Sequence, residues 1–147
     1  MVYNAVDVAK YIVTYCNHKN KPVSNLKLQK LMYYAWIDFY KETGNALFVD
    51  DICAWQLGPV VPEVYYEFCT YAGMPIVQEY DVDIASGDTI ILNRIIEKYL
   101  HFSASALVSR THVVGGAWDS VFRGGAGLRS VIPFSLIKEL ECDASVC

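Results

Sequence analysis

The side chains that could do chemistry are few, and their spacing decides most cases at once. Ser103, Ser105 and Ser109 shortly precede His112, and a serine beside an imidazole is what an acyl-transfer enzyme needs for an activated nucleophile. None of these serines sits in G-x-S-x-G, and helix capping with a polar helix face accounts for all three. An enzyme built on Ser109 and His112 would need those side chains within hydrogen-bond reach in a pocket. His18, His101 and His112 follow no metal-ligand spacing, and Cys16 and His18, two apart, point to different sides of a helix. The cysteines Cys16, Cys53, Cys69, Cys142 and Cys147 are odd in number and contain no C-x-x-C pair, which reads as reduced thiols rather than a disulfide framework or zinc site. Gly124-Gly125-Ala126-Gly127 lacks a following Lys-Ser or Lys-Thr, so it reads as a mobile turn and not a phosphate cradle. No catalytic residue, metal or cofactor is expected. His112 closes a helix at Thr111, where its imidazole could bond exposed carbonyls, and Trp118 reads as core.

The elements behind these residues belong to one domain, 1–147. With 54% hydrophobic residues and a mean hydropathy of +0.23, the chain is too apolar for disorder. It has no run approaching the ~18 apolar residues of a membrane span, and Asn4, Asp7 and Lys10 interrupt any signal-peptide pattern, so the expectation is a cytoplasmic protein. A net charge of −4 weighs against broad nucleic-acid binding. Lys10, Lys19, Lys21, Lys27 and Lys30 nevertheless face the single acid Asp7 in the first thirty residues, which keeps a nucleic-acid-binding regulator as the alternative reading.

Asn4 caps a first helix with Ala5, Val8, Ala9, Ile12 and Cys16 on one face, ending near His18. Ser24 caps a second, stopped by Gly44. Leu28, Leu31, Met32, Ala35 and Phe39 form its aliphatic stripe, and Gln29, Tyr33, Trp36 and Tyr40 its aromatic one. Lys27, Lys30, Tyr34, Asp38 and Lys41 are left for solvent. So much apolar circumference places this helix at the centre of a bundle. Ile52–Leu57 reads as a short strand entering a stiff corner at Gly58-Pro59, and Pro62 opens a third helix to about Tyr71. Ile76–Val82 reads as a second strand. Asp88 and Ser103 cap two further helices, Gly115-Gly116 breaks the chain before Trp118, and Pro133 opens a last helix to about Glu141, leaving 143–147 as a short tail. The fold class is mainly α, a compact helical bundle with a small two- or three-stranded β-unit.

Aromatics make up 14% of the chain, eleven of them tyrosine, and tyrosine anchors protein interfaces because it buries a ring while keeping a hydroxyl hydrogen bond. The expected contact residues are Lys27, Lys30, Tyr34, Tyr65 and Tyr66.

Four segments carry a family resemblance. They are Asp7-Val8-Ala9-Lys10-Tyr11-Ile12, the run Asn25 to Ala35 (NLKLQKLMYYA), the run Ala54 to Tyr65 (AWQLGPVVPEVY) and Thr111-His112. In that order they resemble the SocA-like Panacea domain, formerly grouped as phage-associated GepA-like proteins, over about Tyr3 to Trp118. Ala117 stands where the family has Pro. The resemblance implies an antitoxin encoded beside a toxin gene, neutralising a cognate toxin by direct binding, with some members acting as adaptors that expose a toxin to a protease. It attaches no catalytic residue to the domain. Trp55, Gly58, Pro59, Pro62, His112 and Trp118 are then determinants of the fold.

Overall fold

The computed structural model describes residues 2–143, and most of the tail 143–147, including Cys147, lies outside the described residues. The architecture is mainly α, with one antiparallel hairpin. Helix α1 (Ala5–His18) starts where expected, the Asn4 side chain accepting a hydrogen bond from Val6 N at 2.8 Å. Helix α2 (Asn25–Thr43) starts at Ser24, whose hydroxyl accepts from Lys27 N. It ends at Gly44, whose φ of 74° is the left-handed conformation that glycine supplies cheaply. Both apolar stripes of α2 are buried or nearly so, and it packs against α1, the hairpin and most of the later helices.

Strands β1 (Cys53–Trp55) and β2 (Gly58–Val60) pair with Cys53 opposite Val60, Ala54 opposite Pro59 and Trp55 opposite Gly58. The expected corner at Gly58-Pro59 is therefore part of a strand, and the reversal lies one step earlier, at Gln56-Leu57. Proline is tolerated there because the backbone of Ala54, opposite Pro59, bonds the other way, its N–H to Ser130 O and its carbonyl to Arg129 N. Ile132 N donates to Ile52 O and Val131 bridges Cys53, so the 129–132 segment flanks β1 on its far side.

Helix α3 (Pro62–Glu67) has proline in its first turn and passes into a 3₁₀ turn, Cys69–Tyr71. The expected strand Ile76–Val82 does not form. This stretch carries Asp81 and other exposed polar residues, and it spends its backbone bonds on α1 and its loop instead. Ile76 N donates to Val23 O, Tyr80 N to Thr14 Oγ1, and Gln78 O accepts from Asn17 Nδ2. Helix α4 (Ser86–Leu100) buries Leu92, Ile95, Ile96 and Tyr99 as its periodicity requires. It begins two residues before Asp88, which sits in the first turn rather than at the cap and accepts a hydrogen bond from the Tyr3 hydroxyl. Helix α5 (Ala104–Thr111) is capped by Ser103. A short α6 (Ala117–Phe122) carries Trp118, and α7 (Phe134–Ile137) continues as a π-helical turn, Lys138–Cys142. The glycine-rich stretch between them is a built turn: a Cβ on Gly127 would lie 1.8 Å from the carbonyl oxygen of Val121. No helix among the described residues is long and apolar enough to cross a membrane.

Candidate functional site

Three α2 side chains hydrogen-bond the hairpin and α3, beside the apolar packing between these elements. Asn25 and Gln29 are one helical turn apart, so their amides meet on one face: Gln29 Nε2 donates to Asn25 Oδ1 at 3.0 Å. Asn25 Nδ2 donates to Tyr65 O at 3.0 Å, and Val61 N donates to Gln29 Oε1 at 2.9 Å. Lys30 completes the set, its Nζ donating to Pro59 O at 2.9 Å. Lys30 is fully buried, against the expectation that it faces solvent. The apolar stem packs inside, and burial alone pushes the amine down to about 7.

Gly58 is the point of closest approach. Its φ is +114°, and a Cβ there would lie 2.6 Å from Thr111 Oγ1 and 3.0 Å from Lys30 Cε. The end of α5 is thereby pressed onto the hairpin. His112 stacks face to face on Trp118, centroids 3.9 Å apart and planes 3° apart, and Trp118 stacks in turn on Phe122 at 4.4 Å. Trp118 Nε1 donates to Trp55 O at 2.9 Å. His112 Nε2 is buried with no hydrogen-bond partner among the described residues, so the ring is a stacking surface and not the carbonyl cap its position suggests. Its pKa is lowered, first by burial, then by the charge of Lys30, with Asp119 opposing. Ser109 is exposed and does not bond this nitrogen, so the Ser109/His112 pair is not assembled. Among the described residues no three His, Cys, Asp or Glu side chains converge on a metal position.

The five expected contact residues fall on two sides of α2. Lys27 and Tyr34 face α4: Lys27 Nζ donates to Leu100 O at 2.6 Å, and the Tyr34 ring stacks on Tyr99 at 4.8 Å with the Arg110 guanidinium 5.8 Å away. Burial drives the Tyr34 hydroxyl up to about 12. Both are half-buried and Lys30 is out of reach, whereas Tyr66 is 58% exposed and Tyr65 partly so. The two α3 tyrosines meet the Trp55 ring edge-on, at 5.0 Å for Tyr65 and 6.3 Å for Tyr66.

Beneath that aromatic group runs a groove of about 470 Å³, walled by Asn25, Gln29, Trp55, Leu57, Val60 and Tyr65 among others. Sequence reasoning missed it. Leu57 belongs to the apolar run of its segment, and only the hairpin reversal puts it outside, 51% exposed.

The match to known proteins falls on these same parts. The family described as antitoxin SocA-like, Panacea domain, matches residues 28–119, from the first turn of α2 through the hairpin to the residue after Trp118. The chain belongs to this family. Among curated proteins, Antitoxin SocA of Caulobacter vibrioides (strain NA1000 / CB15N) is 36% identical over 126 residues, covering 74% of this chain and 67% of the relative. No solved structure matches. The Panacea-domain segment contains Gln29, Lys30, Gly58, Pro59, His112 and Trp118, whereas α1 and the 123–143 region lie outside it.

Proposed function

We propose that this Panacea-domain protein is an antitoxin that neutralises a cognate toxin by binding it directly, without catalysis, in the cytoplasm. The observation that carries the proposal is the likeness to Antitoxin SocA over most of the chain. The inward hydrogen bonds of Gln29 and Lys30, which hold the hairpin, fit a motif that serves as scaffold for a contact surface. Tyr65 and Tyr66 are the proposed contacts, and the half-buried Lys27 and Tyr34 a second patch. Lys30 acts only by holding the hairpin.

Co-expression tests this. The protein encoded beside this chain, produced alone, should arrest growth, and this chain should restore growth and copurify with it. No rescue and no complex would reject the proposal. The adaptor role is tested by the partner's half-life, which shortens on co-expression only where a protease is present. Of the lysines behind the nucleic-acid alternative, Lys30 is buried, Lys27 is held at Leu100 O and Lys19 pairs with Glu97 at 3.6 Å, which weakens that reading, while Lys21 stays exposed. A salt-dependent DNA shift would revive it.

A further inference from the structure

The groove under Trp55 has a definite chemistry. Its walls are preformed, because Asn25, Gln29, Tyr65 O and Val61 N are already bonded to one another. No charged side chain lines it, and its surface is mostly apolar, so it suits an apolar side chain better than a sugar or a nucleotide. The apolar surface extends past the lining residue Leu57 at the hairpin tip to Tyr66 beside Trp55 and to Met74, next to the lining residue Gly73, and all three are at least half exposed. Grouped exposed hydrophobics around a concavity, unlike single ones, mark a binding surface.

A cation stands beside it, over the Trp55 ring. The guanidinium of Arg129 lies 4.4 Å from the Trp55 ring centre and makes no salt bridge among the described residues. At the other end the lining includes Ser24, Asn25 and Leu26, the start of a 19-residue helix with no acidic residue in its first turn. A helix start of that kind is electropositive.

We propose that this groove is where the partner protein docks, taking a short segment that puts an apolar side chain between Trp55, Leu57 and Tyr65 and a carboxylate near Arg129. The inference rests on the antitoxin reading for what the partner is, but not for the chemistry of the groove. It separates this side of α2 from the Lys27–Tyr34 side, whose polar groups are already engaged with α4 and α5.

Panning random displayed peptides against the whole chain tests the groove without the toxin. Selected peptides should join an apolar residue to an Asp or Glu. Leu57→Asp and Tyr66→Ala should each weaken them about tenfold or more, as loss of a central anchor does. Arg129→Glu should remove the preference for acid, and Val77→Asp, at another exposed apolar position, should change nothing. An unshifted thermal transition shows that the variants fold, and Tyr66→Ala serves if Leu57→Asp does not. Peptides indifferent to both groove variants overturn the site, and peptides without an acid overturn the stated occupant. A chain that selects nothing overturns the proposal, and if it elutes as a dimer that Leu57→Asp dissolves, the occupant is a second copy instead. Specific peptide binding with no effect of the neighbouring gene product would reject the antitoxin reading while leaving the groove standing. A neighbouring protein whose binding ignores Leu57→Asp and Tyr66→Ala would do the reverse.

Discussion

Lys30 and Gly58 meet inside the protein, the space of a missing Cβ on Gly58 lying 3.2 Å from the Lys30 amine and 2.6 Å from Thr111 Oγ1. The contact fixes α2, the hairpin and the end of α5 at a single point, so small changes on either residue are felt by all three.

Gly58→Ala should therefore destabilise the domain by about 2–4 kcal/mol, through left-handed backbone strain and overpacking together. The midpoint of urea unfolding reads this. A loss below about 1 kcal/mol would show that Thr111 and Lys30 can move aside.

The buried amine makes stability depend on pH with a definite sign. Lys30 holds its proton to about pH 7 when folded, against an ordinary value of 10.5, so between those limits the unfolded chain binds more protons. Stability then rises with pH across that window, by up to about 1.4 kcal/mol per unit, and the dependence vanishes below about 7, where both states are protonated. Lys30→Met should lack this rise. The difference between wild type and variant, followed from pH 7 to about 9 by unfolding, isolates it from the other titrating groups. Parallel curves would place water at the amine.

Replacing Gln29 by Leu should cost about 2–3 kcal/mol, since Val61 N–H and Asn25 Oδ1 both lose a buried partner. Combined with Asn25→Ala it should cost less than the sum, because the two amides act in one relay. Additive losses in a double-mutant cycle would mean the bonds are independent.

Tyr34→Ala and Tyr66→Ala should separate cleanly in thermal unfolding. Tyr34 stacks on Tyr99 at 4.8 Å and is half-buried, so its loss should cost about 1–3 kcal/mol. Tyr66, 58% exposed, should stay within about 0.5 kcal/mol of wild type. Equal effects would contradict the burial described for the pair.

His112 adds an acid limb. Its folded pKa is lowered, so as the pH falls through the ordinary histidine range the unfolded state protonates first and stability drops until the folded pKa is passed. His112→Phe should keep the stack on Trp118 and lose that dependence in unfolding curves from pH 7 to 5.

Local signals were the legible ones. Asn4, Ser24 and Gly44 act within a few residues of themselves, and each sits at the helix end it marks. The motif residues were readable as scaffold, but not what they touch. Lys30 reads as exposed because lysine usually is, and only a carbonyl 29 positions away, brought close by the hairpin, makes burial tolerable. The 76–82 stretch reads as a strand because alternation cannot reveal that α1 supplies its hydrogen bonds. Of the residues in the proposed docking surface, Tyr65 and Tyr66 were expected from the sequence, on the abundance of tyrosine. Leu57 and Arg129 were not, since a hairpin reversal and a loop position decide their exposure.

The outward polar groups of the second strand carry a last consequence. Pro59 presents no N–H, its carbonyl is taken by Lys30, and the amide two residues on, that of Val61, is taken by Gln29. That border of the hairpin is thus closed to an incoming chain, so the ribbon cannot lengthen sideways into a pairing surface for a neighbour or an aggregate. Whatever joins the molecule here must do so by inserting side chains, not by continuing the ladder.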